Sequence, residues 1–139
     1  MRKNLSPADL GDLLELPLVA VLATYRASGD VLLSPVWHEW RDGCFQVATG
    51  ANDIKIRHVR RDPRVSIVVY EHEQPYRGIE VKGRARLLPE EAPAAVLRIA
   101  VRYLGTDAGT AYAEGETDDM VIRIEPGDLR AWDFADDIL

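Results

Sequence analysis

The chain has 139 residues, 47% hydrophobic and 29% charged, with a net charge of −6, the composition of one soluble globular domain spanning 1–139. A pI near 5.0 argues against general nucleic-acid binding, which needs a broadly basic surface. No stretch approaches the ~20 apolar residues of a membrane span, and the lone Cys44 excludes an intramolecular disulfide and fits a reducing cytoplasm.

Met1-Arg2-Lys3-Asn4 is basic, but the polar, acidic, helix-like segment after it is not that of a signal peptide. Ser6-Pro7-Ala8-Asp9 gives an N-cap, a proline at the first helical position and an acid in the first turn. Leu10, Leu13, Leu14 and Leu16 then suggest a short amphipathic helix ended by Pro17. Leu18 to Tyr25 is rich in strand formers, and Ala27-Ser28-Gly29-Asp30 is a turn. Val31 to Arg41 continues as a strand, with Asp42-Gly43 as a hairpin signal before the strand Cys44 to Thr49. The expectation is a meander of three antiparallel strands.

Asn52 or Asp53 can cap the next helix, with Ile54 or Ile56 facing the core beside Val59, and Asp62-Pro63 stops it. Val65 to Tyr70 is rich in β-branched residues and fits a central strand, and Glu71 to Tyr76 a loop. From Ile79 to Leu87 apolar and charged residues alternate, as in a half-exposed strand. Pro89 to Tyr103 has helical spacing, and Thr106 to Thr117, small and polar, is expected to be a mobile loop. Met120 to Ile124 and Leu129 to Phe134 supply two last strands around a Pro126-Gly127-Asp128 turn. Six or seven mostly antiparallel strands with peripheral helices favour a barrel.

The stretch 52–64 stands out. Lys55, Arg57, Arg60, Arg61 and Arg64 oppose only Asp53 and Asp62, inside an otherwise acidic chain. A basic patch at a strand-to-helix junction suits a discrete anion, because a helix start offers free N–H groups to phosphate.

The order of these elements resembles the flavin and deazaflavin oxidoreductases of the split β-barrel superfamily, which includes the pyridoxamine 5'-phosphate oxidase-like proteins. The likeness is carried by Val21-Leu22-Ala23-Thr24, Ser34-Pro35-Val36-Trp37, Thr49 and the run Lys55-x-Arg57-His58-x-Arg60-Arg61-Asp62-Pro63-Arg64-Val65. Tyr76-Arg77-Gly78-Ile79-Glu80-Val81-Lys82-Gly83 and Arg130-Ala131-Trp132-Asp133 complete it. It covers nearly the full chain; each motif alone is weak, while their order together is fairly specific. The short chain and the Arg-Arg-Asp-Pro-Arg run look most like a group in which many members use coenzyme F420 in place of FMN.

The resemblance implies a mainly β fold, an antiparallel split β-barrel, forming a homodimer with cofactor sites at the subunit interface. It implies that Lys55 and nearby N–H groups hold the cofactor phosphate, with Thr49, Asn52 and Arg57 contributing. Pro35, Val36 and Trp37 would lie along the tricyclic ring, and Trp132 would reach the site from the partner subunit. It further implies hydride transfer from F420 to a small unsaturated substrate, with an FMN-dependent oxidase or reductase, or a flavin, haem or tetrapyrrole binding module, as alternatives. One departure stands against it. Relatives often carry Arg or Ser two residues before the lysine; here that residue is Asp53, which would repel phosphate unless it turns away as a helix cap.

Other chemistry finds little support. His38, His58 and His72 have no metal-ligand spacing, and Cys44 has no sign of a partner base. Trp37 and Trp40, three apart on a strand, point to opposite faces, so one can border a ring while the other packs. The C-terminal basic motif of the pyridoxamine-phosphate oxidising enzymes is not seen, so that reaction is not expected.

Overall fold

The computed structural model describes Arg2 and residues 4–137; Met1 and Lys3 of the basic start lie outside the described residues. Seven strands form one antiparallel sheet: β1 Ala20–Tyr25, β2 Val31–Val36, β3 Glu39–Arg41, β4 Cys44–Gly50, β5 Arg64–Tyr70, β6 Gly78–Leu87 and β7 Asp119–Trp132. Their order is β2-β1-β5-β6-β7-β4-β3. Three α-helices, α1 Ile54–Arg61, α2 Ala92–Leu104 and α3 Thr106–Gly115, lie at the periphery. This is the split-barrel fold. Among the described residues no helix is long and apolar enough to cross a membrane.

The expected three-strand meander is only half right. The hairpin at Asp42-Gly43 forms, with both residues at positive φ, as a two-residue hairpin turn requires. But the segment 31–41 is two strands, broken at Trp37-His38: β2 pairs with β1, whereas β3 pairs with β4. Because β2 and β3 are the two ends of the sheet order, this two-residue link ties opposite edges together and rolls the sheet up.

Alternation along the strands fills the interior. Leu22, Phe45, Val47, Ile67, Val69, Ile79, Val81, Ile122 and Ile124 are all essentially inaccessible and belong to one cluster. Val65 to Tyr70 is central as expected, between β1 and β6. A smaller cluster of Leu88, Ala92, Ala95 and Val121 seats α2 against β7.

Three further expectations are corrected. The N-terminal helix is two short 3-10 turns, Pro7–Leu10 and Leu13–Glu15, because Gly11 takes a positive φ between them; the Ser6/Asp9 capping box does form. Residues 119–132 are one strand. Two steps along β6 from Val81 to Gly83 match three along β7 from Leu129 to Pro126, so Pro126-Gly127-Asp128 makes a β-bulge and not a reversal.

The expected loop 106–117 is largely helix α3. Gly109 explains how it docks: a Cβ there would fall 2.5 Å from the Val101 backbone of α2, so only glycine permits this helix contact. Gly109→Ala should therefore cost about 1–3 kcal/mol by overpacking. Gly115→Ala, with nothing within 4 Å of the added carbon, should cost nothing, and urea unfolding of the two variants checks the difference.

Candidate functional site

The strand-to-helix junction after β4 is built by Asp53. Its amide donates to the Gly50 carbonyl at 3.0 Å, and its side chain caps α1 by accepting the Lys55 N–H at 3.0 Å. Ile56 and Val59 are buried beneath the helix, whereas Ile54 is exposed, which settles which isoleucine faces the core. His58 is also buried, its Nδ1 2.9 Å from Thr24 Oγ1 on β1. Burial, then the charges of Arg26, Arg61 and Arg57, holds that imidazole below its usual pKa.

This seating turns Lys55 inward. Its side chain is 14% exposed, and its Nζ lies 3.0 Å from Asp53 Oδ1. Asp53 thus does two things: it caps the helix and neutralises the lysine. Burial raises the pKa of its carboxyl, but the Lys55 N–H and ammonium, with the Thr49 hydroxyl, outweigh this and keep it below the normal value.

Lys55 is the one cationic side chain lining a cavity of about 340 Å³, whose other walls include Pro35, Val36, Trp37, Thr49 and Tyr112. Five of the eight residues singled out in the sequence are therefore brought together. The other three are not. Asn52 and Arg57 are exposed and do not line it. Trp132 lies in a different hollow with Tyr70, His72, Tyr76 and Phe134, beneath the Arg130 guanidinium.

Two of the remaining arginines of the basic run are occupied. Arg64 pairs with Asp62 at 2.7 Å and lies over the Tyr25 ring, and Arg61 donates to the Tyr25 carbonyl. The three histidines go to three places, with His72 beside Tyr70. Cys44 is buried with its thiol near Glu125, and burial pushes its pKa up, the reverse of an activated nucleophile.

Trp37 is held by residues the sequence did not advertise. Its ring stacks on Tyr103 of α2 at 4.9 Å with a 6° interplanar angle, and Tyr112 of α3 lies 5.5 Å away at 50°. Trp40 instead packs edge-on against Phe45 in the core. Tyr103 Oη donates to the Leu18 carbonyl at 2.6 Å, accepts from the His38 N–H at 3.1 Å and lies 3.0 Å from His38 Nδ1. With its one proton given to Leu18, the hydroxyl can only accept from Nδ1, so the His38 proton sits there. Nε2 is then a bare acceptor, buried without a partner.

A second hollow of about 160 Å³ lies behind Trp37, between α2, α3 and the sheet. It shares Trp37, Ala48, Thr49 and Tyr112 with the first and adds Glu116 and Asp119. Reading 106–117 as a loop hid Tyr112 and Glu116; the helical composition of Ala108, Ala111 and Ala113 was the available signal.

Residues 7–133 match the model of the pyridoxamine 5'-phosphate oxidase family. The chain belongs to that family. Among solved structures, it is similar to the conserved hypothetical protein Rv2991 of Mycobacterium tuberculosis, with 28% identity and a TM-score of 0.80, covering 97% of this chain and 89% of that one. An F420 reductase is also 28% identical, with a TM-score of 0.73 and coverage of 89% and 98%. HutZ, the heme storage protein of Vibrio cholerae, is 17% identical with a TM-score of 0.69 and coverage of 88% and 92%, a likeness of fold alone. No curated protein sequence matches significantly. The pyridoxamine 5'-phosphate oxidase family binds flavin-type cofactors, and membership in it does not fix the reaction.

The His38 support of Trp37 predicts a pH dependence. Burial and the Arg102 charge push its pKa down to about 3, so the unfolded chain takes up a proton there below about 6.5 while the folded chain does not. The contribution is fully present above that value and falls by about 1.4 kcal/mol per unit toward pH 3. Denaturant unfolding at pH 7 and 5 should show a smaller loss in His38→Gln than in the wild type.

Proposed function

We propose that the chain is a cytoplasmic oxidoreductase, folded as one cofactor-binding unit, that transfers hydride between bound coenzyme F420 and a small unsaturated substrate. The observation that carries this reading is Lys55, the one cationic side chain lining a cavity walled by Trp37. The 28% identity to an F420 reductase over 98% of that chain favours the deazaflavin.

The residues present fit such a group. An ammonium has three donors, and Asp53 takes one of those of Lys55, leaving two for a phosphate. Thr49 stands on the same wall with its hydroxyl turned to Asp53, and Asn52 and Arg57 are left to the solvent side. Pro35, Val36 and Trp37 offer a flat apolar flank for a ring and exclude water from it. When bound, the cofactor supplies the hydride chemistry; the protein binds and orients, and no side chain need act as nucleophile.

A homodimer belongs to the same reading. On the outer face of β2, Val31 and Leu33 are 50% and 61% exposed, and Pro35 is exposed beside them. Pro35 also lines the Lys55 cavity, so a second copy seated on this apolar face would close the site and could bring its own Trp132 there. Leu33→Asp is expected to shift the protein from dimer to monomer in light scattering; a monomeric wild type would remove the interface.

The family match supports a second reading, an FMN-dependent oxidase or reductase, and the fold shared with a heme storage protein supports a third, a binding module for haem or another tetrapyrrole. Separate titrations with F420, FMN and haem distinguish them. Saturable F420 binding with reduction of an enone is expected, and binding of FMN or haem alone would overturn the leading reading. Lys55→Ala should weaken binding by about 1.5–3 kcal/mol, the range for hydrogen bonds to charged groups. Asp53→Asn keeps a good cap while removing the competing charge, and should tighten binding several-fold. Arg64→Ala should change little.

A further inference from the structure

Trp37 owes its orientation to a residue that lines neither of the hollows it walls. Tyr103 covers one face of the indole in a parallel stack, with 4.9 Å between ring centroids and 6° between planes. Trp37 borders both hollows, whereas Tyr103 borders neither. Whatever Tyr103 does for a ligand is therefore done through Trp37. Tyr112 differs: it is 45% exposed, tilted 50° to the indole, and lines both hollows itself.

The Tyr103 hydroxyl is used to capacity. A phenol has one proton to donate, and its oxygen can accept in return. The proton goes to the Leu18 carbonyl, and the oxygen receives both the His38 amide and the His38 Nδ1–H. Leu18 precedes β1 and His38 lies between β2 and β3, so the phenol is pinned to two separate segments. His38 is itself wholly buried, its ring edge-on to Phe45 in the core. This anchorage is held against a penalty. The imidazole Nε2 is buried without a partner, and a buried acceptor left unpaired is destabilising. An apolar side chain would fill the His38 position without that penalty. What the imidazole adds is the donor that completes the hold on Tyr103.

We propose that Tyr103 is a positioning residue for the cofactor ring. Braced by His38 and Leu18, it holds the Trp37 indole in one plane before any ligand arrives. A flat ring entering the Lys55 cavity then meets a surface already set for stacking. In an offset-stacked pair the two ring planes are parallel, so the plane of Tyr103 is passed through Trp37 to the ligand. A tryptophan released from this stack would have to be ordered by the incoming ring, and that ordering lowers affinity. The role toward the ring rests on the cofactor reading of the Lys55 cavity; the fixed plane of Trp37 does not.

The test labels the full chain with 5-fluorotryptophan and assigns the Trp37 fluorine line by its loss in Trp37→Leu. Tyr103→Phe keeps the ring and loses the hydroxyl, whereas Tyr103→Leu loses both. The wild type should give one sharp Trp37 line. That line should shift or broaden in Tyr103→Phe and more so in Tyr103→Leu, while the line of the distant Trp132 stays in place and reports an intact fold. The variants are then titrated with whichever of F420 and FMN binds the wild type. Tyr103→Leu should weaken binding about three- to tenfold, the equivalent of one aromatic pair, with Tyr103→Phe in between. In a Trp37→Leu background, Tyr103→Leu should add no further loss, because the two residues act as one unit. A general structural defect would instead lower affinity in both backgrounds. An unmoved Trp37 line in both variants, an unaltered affinity in Tyr103→Leu, or equal losses in both backgrounds overturns the proposal. A wild type that binds neither cofactor removes the cofactor reading and the ring role with it, while the fluorine lines still decide whether Tyr103 fixes Trp37.

Discussion

The two residues Trp37 and His38 join strands that lie at opposite ends of the sheet order. A two-residue link cannot span an open seven-stranded sheet, because strands lie ~4.8 Å apart, so the sheet must curl until β2 and β3 meet. Much else follows from that closure. The inward residues of seven strands then face one another and form a single core, and the helices are left outside. The closure is clamped by Tyr103, whose hydroxyl holds the His38 amide and the Leu18 carbonyl while its ring carries Trp37.

The same closure makes the site. Pro35, Val36 and Trp37 come from one edge of the sheet, whereas Ala48 and Thr49 come from β4 near the other. Lys55 is delivered by the helix that follows β4. Side chains some twenty residues apart in sequence thus share a wall because one short link draws the edges together. Helices α2 and α3 complete it from outside, and Arg102 ties α2 to the carbonyls of Leu14, Glu15 and Leu16, fixing the N-terminal turns to the same frame.

Local signals were legible in the sequence where one short-range force decides the outcome. Asp42-Gly43, the alternation of β6, the Asp62-Pro63 stop and the apolar run of β5 each became the element their residues favour. The readings failed where a distant contact decides. Nothing in 31–41 announces that its two halves pair with different strands, since closure is set by the whole sheet. A proline, glycine and aspartate at 126–128 make a turn by local preference, but pairing with β6 on both sides makes them a bulge. Small polar residues at 106–117 looked mobile, yet Gly109 is small because α2 lies against it. At the site, Lys55 and Trp37 were legible from the family pattern, whereas Tyr103, Tyr112 and Asp119 were not, since they belong to no motif and arrive through helix packing.

Asp53, the residue that departs from the family pattern, acts as a built-in substitute for an anion. It satisfies the helix start and the lysine from within the chain, so the junction needs no ligand to hold its shape. On the proposed reading, a phosphate would meet the two ammonium donors that Asp53 leaves free and would need no backbone rearrangement. On that reading the arrangement trades tightness for ease of exchange, since the resident charge would compete with the guest on arrival and replace it on departure. A site of this kind suits a cofactor that comes and goes with each turnover more than one retained for the life of the protein.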